Sequence, residues 1–169
     1  MTGRRHEASR RDYEAVSEPI ASRPNFAGGY GVPSEPEGML RWSWAEEQLE
    51  GSRNYWIVTV RPDGSPHSAP VWGLWIDGAV VFSTSPESRK GRNLARDRRL
   101  VINLESGDDV VILEGEVETI ALDEGMADLY EAKYDYRPGG EGDWYLLRPR
   151  VAYAWRERDY PRSATRFSF

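Results

Sequence analysis

The chain has 169 residues, 39% apolar and 30% charged, with a formal net charge of -6 and no cysteine. This is the length of one domain with a real core, and it excludes disulfides, thiolate catalysis and cysteine-held metal centres. Only His6 and His67 can supply imidazole, so no metal site is expected, and an acidic chain is a poor general binder of nucleic acid.

Residues 1–41 are rich in Arg, Glu, Pro, Ser and Gly and poor in branched aliphatics. They are expected to form a flexible or extended N-terminal arm, with residues 42–169 as the folded domain. No apolar run is long enough for a signal sequence or a membrane span, so a cytoplasmic protein with no membrane partner is expected. Ser43-Trp44-Ala45-Glu46 has the form of a capping box and predicts a helix over about 44–50. Residues 55–60 are β-branched and aromatic and predict a strand. Pro62-Asp63-Gly64 turns the chain into a return strand over 67–76. Asp77-Gly78 is a hairpin signal leading to a third strand over 79–84. Ser85-Pro86 reads as an N-cap with proline at the first helical position, opening a helix over 87–96. A strand over 100–104, a turn at Gly107-Asp108-Asp109 and a long alternating strand over 110–120 follow. The polar side of that strand carries Glu114, Glu116 and Glu118 and reads as a solvated face. Asp123 caps another helix to about 134, and a Gly/Pro loop over 137–143 leads into a last strand over 144–155. Six strands with short helices between them predict a mostly β fold, an antiparallel barrel rather than a doubly wound sheet.

Charge is unevenly distributed. Six of the eleven residues 89–99 are Arg or Lys, against one Asp. The strand over 79–84 ends in the hydroxyls of Ser83 and Thr84 and runs into this basic helix start, where backbone N–H groups favour anions. A phosphate needs charge-assisted donors: arginine offers a planar fork and lysine a mobile point charge. Arg89 and Lys90 are the candidate donors, with Ser83, Thr84 and Ser88 beside them and Asn93 three residues on, on the same side of the helix as Lys90. Ser68, Pro70 and Trp72 alternate to one face of their strand, and Ala69 and Val71 to the other; the face that meets a ligand is open. His67 reads as an acid, a ligand contact or a polar strand residue. Most of the seven tryptophans are expected in the core or at a subunit interface, with one or two open to a place on the floor of a ligand pocket.

These signals occur in a telling order: Asp63-Gly64-Ser65-Pro66-His67-Ser68-Ala69-Pro70-Val71-Trp72, then Phe82-Ser83-Thr84, then Ser88-Arg89-Lys90-Gly91-Arg92-Asn93-Leu94. Asp97-Arg98-Arg99-Leu100-Val101 and Glu114-Gly115-Glu116-Val117 come next. Over about residues 42–155 the pattern resembles the pyridoxamine 5'-phosphate oxidase-like split β-barrel family. The resemblance implies a split antiparallel β-barrel of about six strands, a homodimer, and FMN or the deazaflavin coenzyme F420 held at the subunit interface. The cofactor-binding residues it implies are Ser68, Pro70, Val71, Trp72, Ser83, Thr84, Ser88, Arg89, Lys90 and Asn93. It implies an oxidoreductase passing a hydride between the bound cofactor and a small organic substrate. The alternatives are a flavin, deazaflavin or heme carrier without turnover, and a protein–protein module on the same barrel. One departure is clear. The late Arg-x-His pair that grips the substrate phosphate in vitamin B6 oxidases is replaced by Trp155-Arg156-Glu157-Arg158-Asp159-Tyr160. A different substrate is therefore expected, with Arg156, Arg158 and Arg166 as open choices for an anion contact.

Overall fold

The computed structural model describes residues 18–139 and 142–169. Its elements are β1 (Ile20–Ser22), α1 (Trp42–Gly51), β2 (Asn54–Val60), β3 (Pro66–Ile76), β4 (Ala79–Thr84), α2 (Arg89–Arg96), β5 (Arg99–Asn103), β6 (Asp109–Ile120), α3 (Glu124–Tyr134), β7 (Asp143–Arg156) and β8 (Thr165–Ser168). The β3–β4 hairpin turns on Asp77 and Gly78, both at positive φ (48° and 73°), whose twist matches antiparallel strands. The sheet runs β1-β8-β7-β4-β3-β2-β5-β6, and β6 pairs back onto β7. Strands β2 to β7 therefore close into the mostly β, six-stranded antiparallel barrel that the sequence predicts. The short strands β1 and β8 extend it from β7 and carry too little alternation to be legible in the sequence.

Alternation decides what fills the barrel. Ile57, Phe82, Ile102, Leu113 and Leu147 point inward and are fully buried. Along β7, Glu114 faces Val151 while Gly115 faces Pro149, so Arg150 is one residue extra. This bulge lets Leu147 and Ala152 both face the interior although an odd number of positions separates them. A second core lies outside the barrel, where α3 sets Tyr130 and Tyr134 over Leu74, Val81 and Trp144. Asp123 caps α3 as expected, accepting from the Met126 N–H at 2.9 Å.

Helix α1 begins earlier than its capping box implies. Arg41 is the N-cap, with no side-chain cap, and Trp42 opens the helix. Trp42 is buried with its ring 5.1 Å from Phe167 and 4.9 Å from Phe169. Burying an indole outweighs one capping bond of about 1 kcal/mol, so packing sets the helix start. The helix closes one end of the barrel, where the Tyr55 hydroxyl donates to the Leu49 carbonyl at 2.6 Å. No helix among the described residues is long and apolar enough to cross a membrane.

Between β1 and α1 the Arg23 side chain makes the largest set of side-chain hydrogen bonds, beside the Leu40 N–H bond to Thr165 Oγ1 and the ring contacts of Phe26 and Tyr30. The Arg23 guanidinium donates to the carbonyls of Glu35, Glu37, Arg162 and Ala164 at 2.7–3.0 Å. It thereby ties the segment before α1 to the segment before β8. Arg23→Ala should lower the melting temperature by about 5 °C, since several charge-assisted bonds are lost together. Calorimetry on both chains checks this; an unchanged transition would show that the clamp adds nothing to stability.

Candidate functional site

The site is built where β4 hands over to α2. The Ser88 N–H donates to the Ser85 carbonyl at 3.0 Å, and the Glu87 N–H to the Ser85 hydroxyl at 3.2 Å. Ser88, not Ser85, is the N-cap: its Oγ accepts from the Gly91 N–H at 3.0 Å and lies 2.9 Å from Thr84 Oγ1. Pro86 falls in the turn, so α2 starts two residues later than the sequence predicts. The reason is a close approach. A Cβ on Gly91 would sit 2.2 Å from the Ser85 carbonyl oxygen, so only glycine lets this turn fold back onto the helix.

The six cations of 89–99 are not equivalent. Arg92 donates to the Glu87 carbonyl, and Arg96 to the Arg61 carbonyl at 2.8 Å. Arg98 reaches the Val117 carbonyl at 3.4 Å. Arg99 grips Asp97 with two bonds of 3.0 and 2.8 Å, which hold that carboxyl down to about 2. Among the described residues, Arg89 and Lys90 have neither a hydrogen bond nor an ion pair from their side chains. Their backbone N–H groups, in the first turn of α2, also lack intrahelical acceptors.

These two cations act on the end of β3. Burial pushes the His67 imidazole below its ordinary range, and Arg61, Lys90 and Arg89 push it further. Among the described residues its Nδ1 is buried without a hydrogen-bond partner. Arg61 is held on the β2–β3 turn by bonds to Ser65 Oγ at 3.2 Å and to the Pro66 carbonyl.

The remaining predicted residues divide by face. Ser68, Pro70 and Trp72 are exposed on the outer side of β3. Ser83 shares that side, continuing the register from the Gly73–Phe82 pair, and donates to the Asp143 carbonyl at 3.1 Å. Thr84, Ser88, Arg89 and Lys90 gather at the helix start. The side chain of Val71 turns into the barrel core. Asn93 is buried as well, with Nδ2 donating to Thr59 Oγ1 at 2.9 Å. Sequence reasoning missed four residues: Arg61, Arg53, Lys133 and Tyr134. Trp72 stacks on Tyr134 with centroids 4.7 Å apart and planes 8° from parallel. The Arg53 guanidinium lies 5.6 Å from both rings. Lys133 donates to the Gly73 carbonyl at 3.0 Å and sits 5.0 Å from the Tyr55 ring. Nothing local marks the Lys133 and Tyr134 contacts, because they join residues some sixty to eighty positions apart.

A groove of about 550 Å³ opens elsewhere, on the outer side of β2, β5, β6 and β7. Val58, Val60, Val101 and Val151 form its floor, and Arg99 and Arg150 stand at its rim; no predicted site residue lines it.

A family model described as pyridoxamine 5'-phosphate oxidase matches residues 44–156. No curated protein matches the chain. Among solved structures, a conserved hypothetical protein from Mycobacterium tuberculosis is similar at 23% identity and a TM-score of 0.62, over 72% of this chain and 89% of that one. An F420 reductase is similar at 23% identity and 0.55, over 70% and 98%. A heme binding protein from Mycobacterium smegmatis is similar at 25% identity and 0.55, over 69% of this chain and 55% of that one. Likeness at this level establishes the shared fold.

Burial pushes the Lys133 ammonium from 10.5 down to about 8. Between these values the folded chain releases a proton that the unfolded chain keeps, so stability rises with pH there. Below pH 8 both states are protonated and the burial penalty is constant. The wild-type chain should therefore gain stability relative to Lys133→Met between pH 8 and 10. Urea unfolding across that range tests it, and a pH-independent difference would refute the assignment.

Proposed function

Since the chain belongs to the pyridoxamine 5'-phosphate oxidase family, we propose that it is an FMN- or F420-dependent oxidoreductase acting on a small organic substrate. The phosphate is held at the start of α2 and the ring along the outer side of β3. The observation that carries this reading is the pair Arg89 and Lys90, whose side chains have no partner among the described residues; they stand beside an imidazole that burial, Arg61 and then their own charges depress. The donor set fits a phosphate: a guanidinium fork, an ammonium, two free backbone N–H groups and the one hydroxyl proton that the Ser88–Thr84 pair leaves over. Each charged contact contributes about 1.5–3 kcal/mol.

When bound, the cofactor ring supplies the hydride chemistry. This chain binds and orients. Ser68 and Pro70 are small enough to admit a flat ring against β3, and the four steps from Ser68 to Trp72 extend about 13 Å. Gly91 keeps the 85–88 turn tight under the phosphate, and Asn93 fixes α2 to the barrel through Thr59. Vitamin B6 phosphate is not proposed as substrate. Arg156 pairs with Asp159 at 2.7 Å, Arg158 is 3.9 Å from the same carboxylate, and Arg166 donates to the Ser168 hydroxyl.

A homodimer is part of the proposal. Trp56, Val58, Val101, Ile112, Val151 and Tyr153 are half-buried on the outer side of neighbouring strands, an apolar stretch that a second copy would cover. The same cover would enclose the ring site.

An absorbance spectrum and mass analysis of ligand extracted from the purified protein identify the cofactor. Lys90→Ala should raise the Kd for it at least about tenfold, equivalent to ~1.4 kcal/mol. Titration of both chains with FMN and F420 decides this, and equal affinities would remove Lys90 from the site. Tight binding without turnover would favour the carrier reading. A bound phosphate offsets the local cations, so the His67 pKa should rise on saturation. A histidine NMR titration that shows no change would place the phosphate elsewhere.

A further inference from the structure

Beyond the proposed phosphate contacts, the outer side of β3 ends in an aromatic platform. Trp72 is 39% exposed, and Tyr134 covers one of its faces. Tyr134 is itself fixed: its hydroxyl accepts from the Gly73 N–H at 2.9 Å and lies 2.7 Å from the carbonyls of both Gly73 and Arg53. Tyr130 and Tyr136 brace the indole at 6.5 and 6.4 Å. The result is a flat apolar surface that loses little freedom when a second ring stacks on it.

Arg53 stands at the edge of this platform, over the Trp72 and Tyr134 rings. Among the described residues its guanidinium has no hydrogen bond and no ion pair. A nearby carboxylate, Glu105, instead accepts from Asn54 Nδ2 at 3.1 Å, and Asn54 faces Trp72 across the β2–β3 ladder. An arginine over ring faces keeps its N–H fork available for a planar oxyanion.

We infer that Trp72 and Arg53 form a subsite for a planar organic anion, its ring stacked on the exposed face of Trp72 and its carboxylate or enolate paired with Arg53. The inference rests on the proposed ring site along β3 and names the substrate class: a conjugated or aromatic acid. Arg53 is a specificity-determining residue in this assignment, discriminating by charge, while Trp72 discriminates by planarity.

The test uses naphthoate and its neutral amide, naphthamide, titrated by calorimetry into the full chain, as purified and after saturation with FMN or F420. The wild-type chain should bind naphthoate about tenfold more tightly than naphthamide, the size of one charge-assisted contact. Arg53→Gln should abolish that preference and leave naphthamide unchanged, Arg53→Lys should keep part of it, and Trp72→Leu should weaken both ligands. Arg53 is exposed, so its variants keep the fold, and circular dichroism verifies this. A preference that survives Arg53→Gln, or that Lys90→Ala abolishes instead, overturns the subsite, as does a wild-type chain that binds neither ligand. Arg53-dependent naphthoate binding by a chain that takes up neither FMN nor F420 would sink the cofactor reading and leave the subsite standing.

Discussion

The return of β6 onto β7 is the constraint on which the molecule depends. Once that pairing closes the sheet, each strand has an inside and an outside, and alternation assigns every side chain to one of them. The extra residue at Arg150 lets the fourteen residues of β7 serve β4 at one end and β8 at the other without turning polar groups inward. Helix α1 closes one end of the barrel, and α2 sets Asn93 and Leu94 against the interior near Thr59. The cationic helix start is rigid because the barrel holds it there.

That rigidity gives the electrostatics their meaning. A run of arginines on a free helix would be a solvated surface. Here Arg92, Arg96 and Arg98 donate to backbone carbonyls and Arg99 pairs with Asp97, so among the described residues the free side-chain donors of this run belong to Arg89 and Lys90. Their charge, with that of Arg61, falls on His67 at the start of the outward row Ser68, Pro70, Trp72. At the far end of the row Arg53 stands over two aromatic rings. A strand with unpaired positive charge at both ends and small residues between suits an elongated ligand set, a phosphorylated ring system with an anionic partner beside it.

Turn chemistry and alternation were legible from residues close in sequence. Asp77-Gly78 demanded a left-handed turn, Asp123 demanded a cap, and the six apolar runs demanded strands, because each depends on atoms within a few residues of one another. The basic helix start and its hydroxyl-bearing strand were local signals too. The capping signals at Ser43 and Ser85 misled, by two residues and by three. In both cases a contact with a distant or folded-back segment, Trp42 on Phe167 and Gly91 on the Ser85 carbonyl, outweighed the capping bond.

By itself the sequence determined a mostly β chain, the succession of its six barrel strands and one concentrated patch of positive charge. Only the tertiary structure decided that Val71 and Asn93 turn inward, that two of six cations keep all their side-chain donors free among the described residues, and that Trp72 lies on Tyr134 beside Arg53. The physical reason is range. Propensity and turn geometry act over a few residues, whereas burial, ion pairing and ring stacking act between segments that are neighbours only after the barrel has closed.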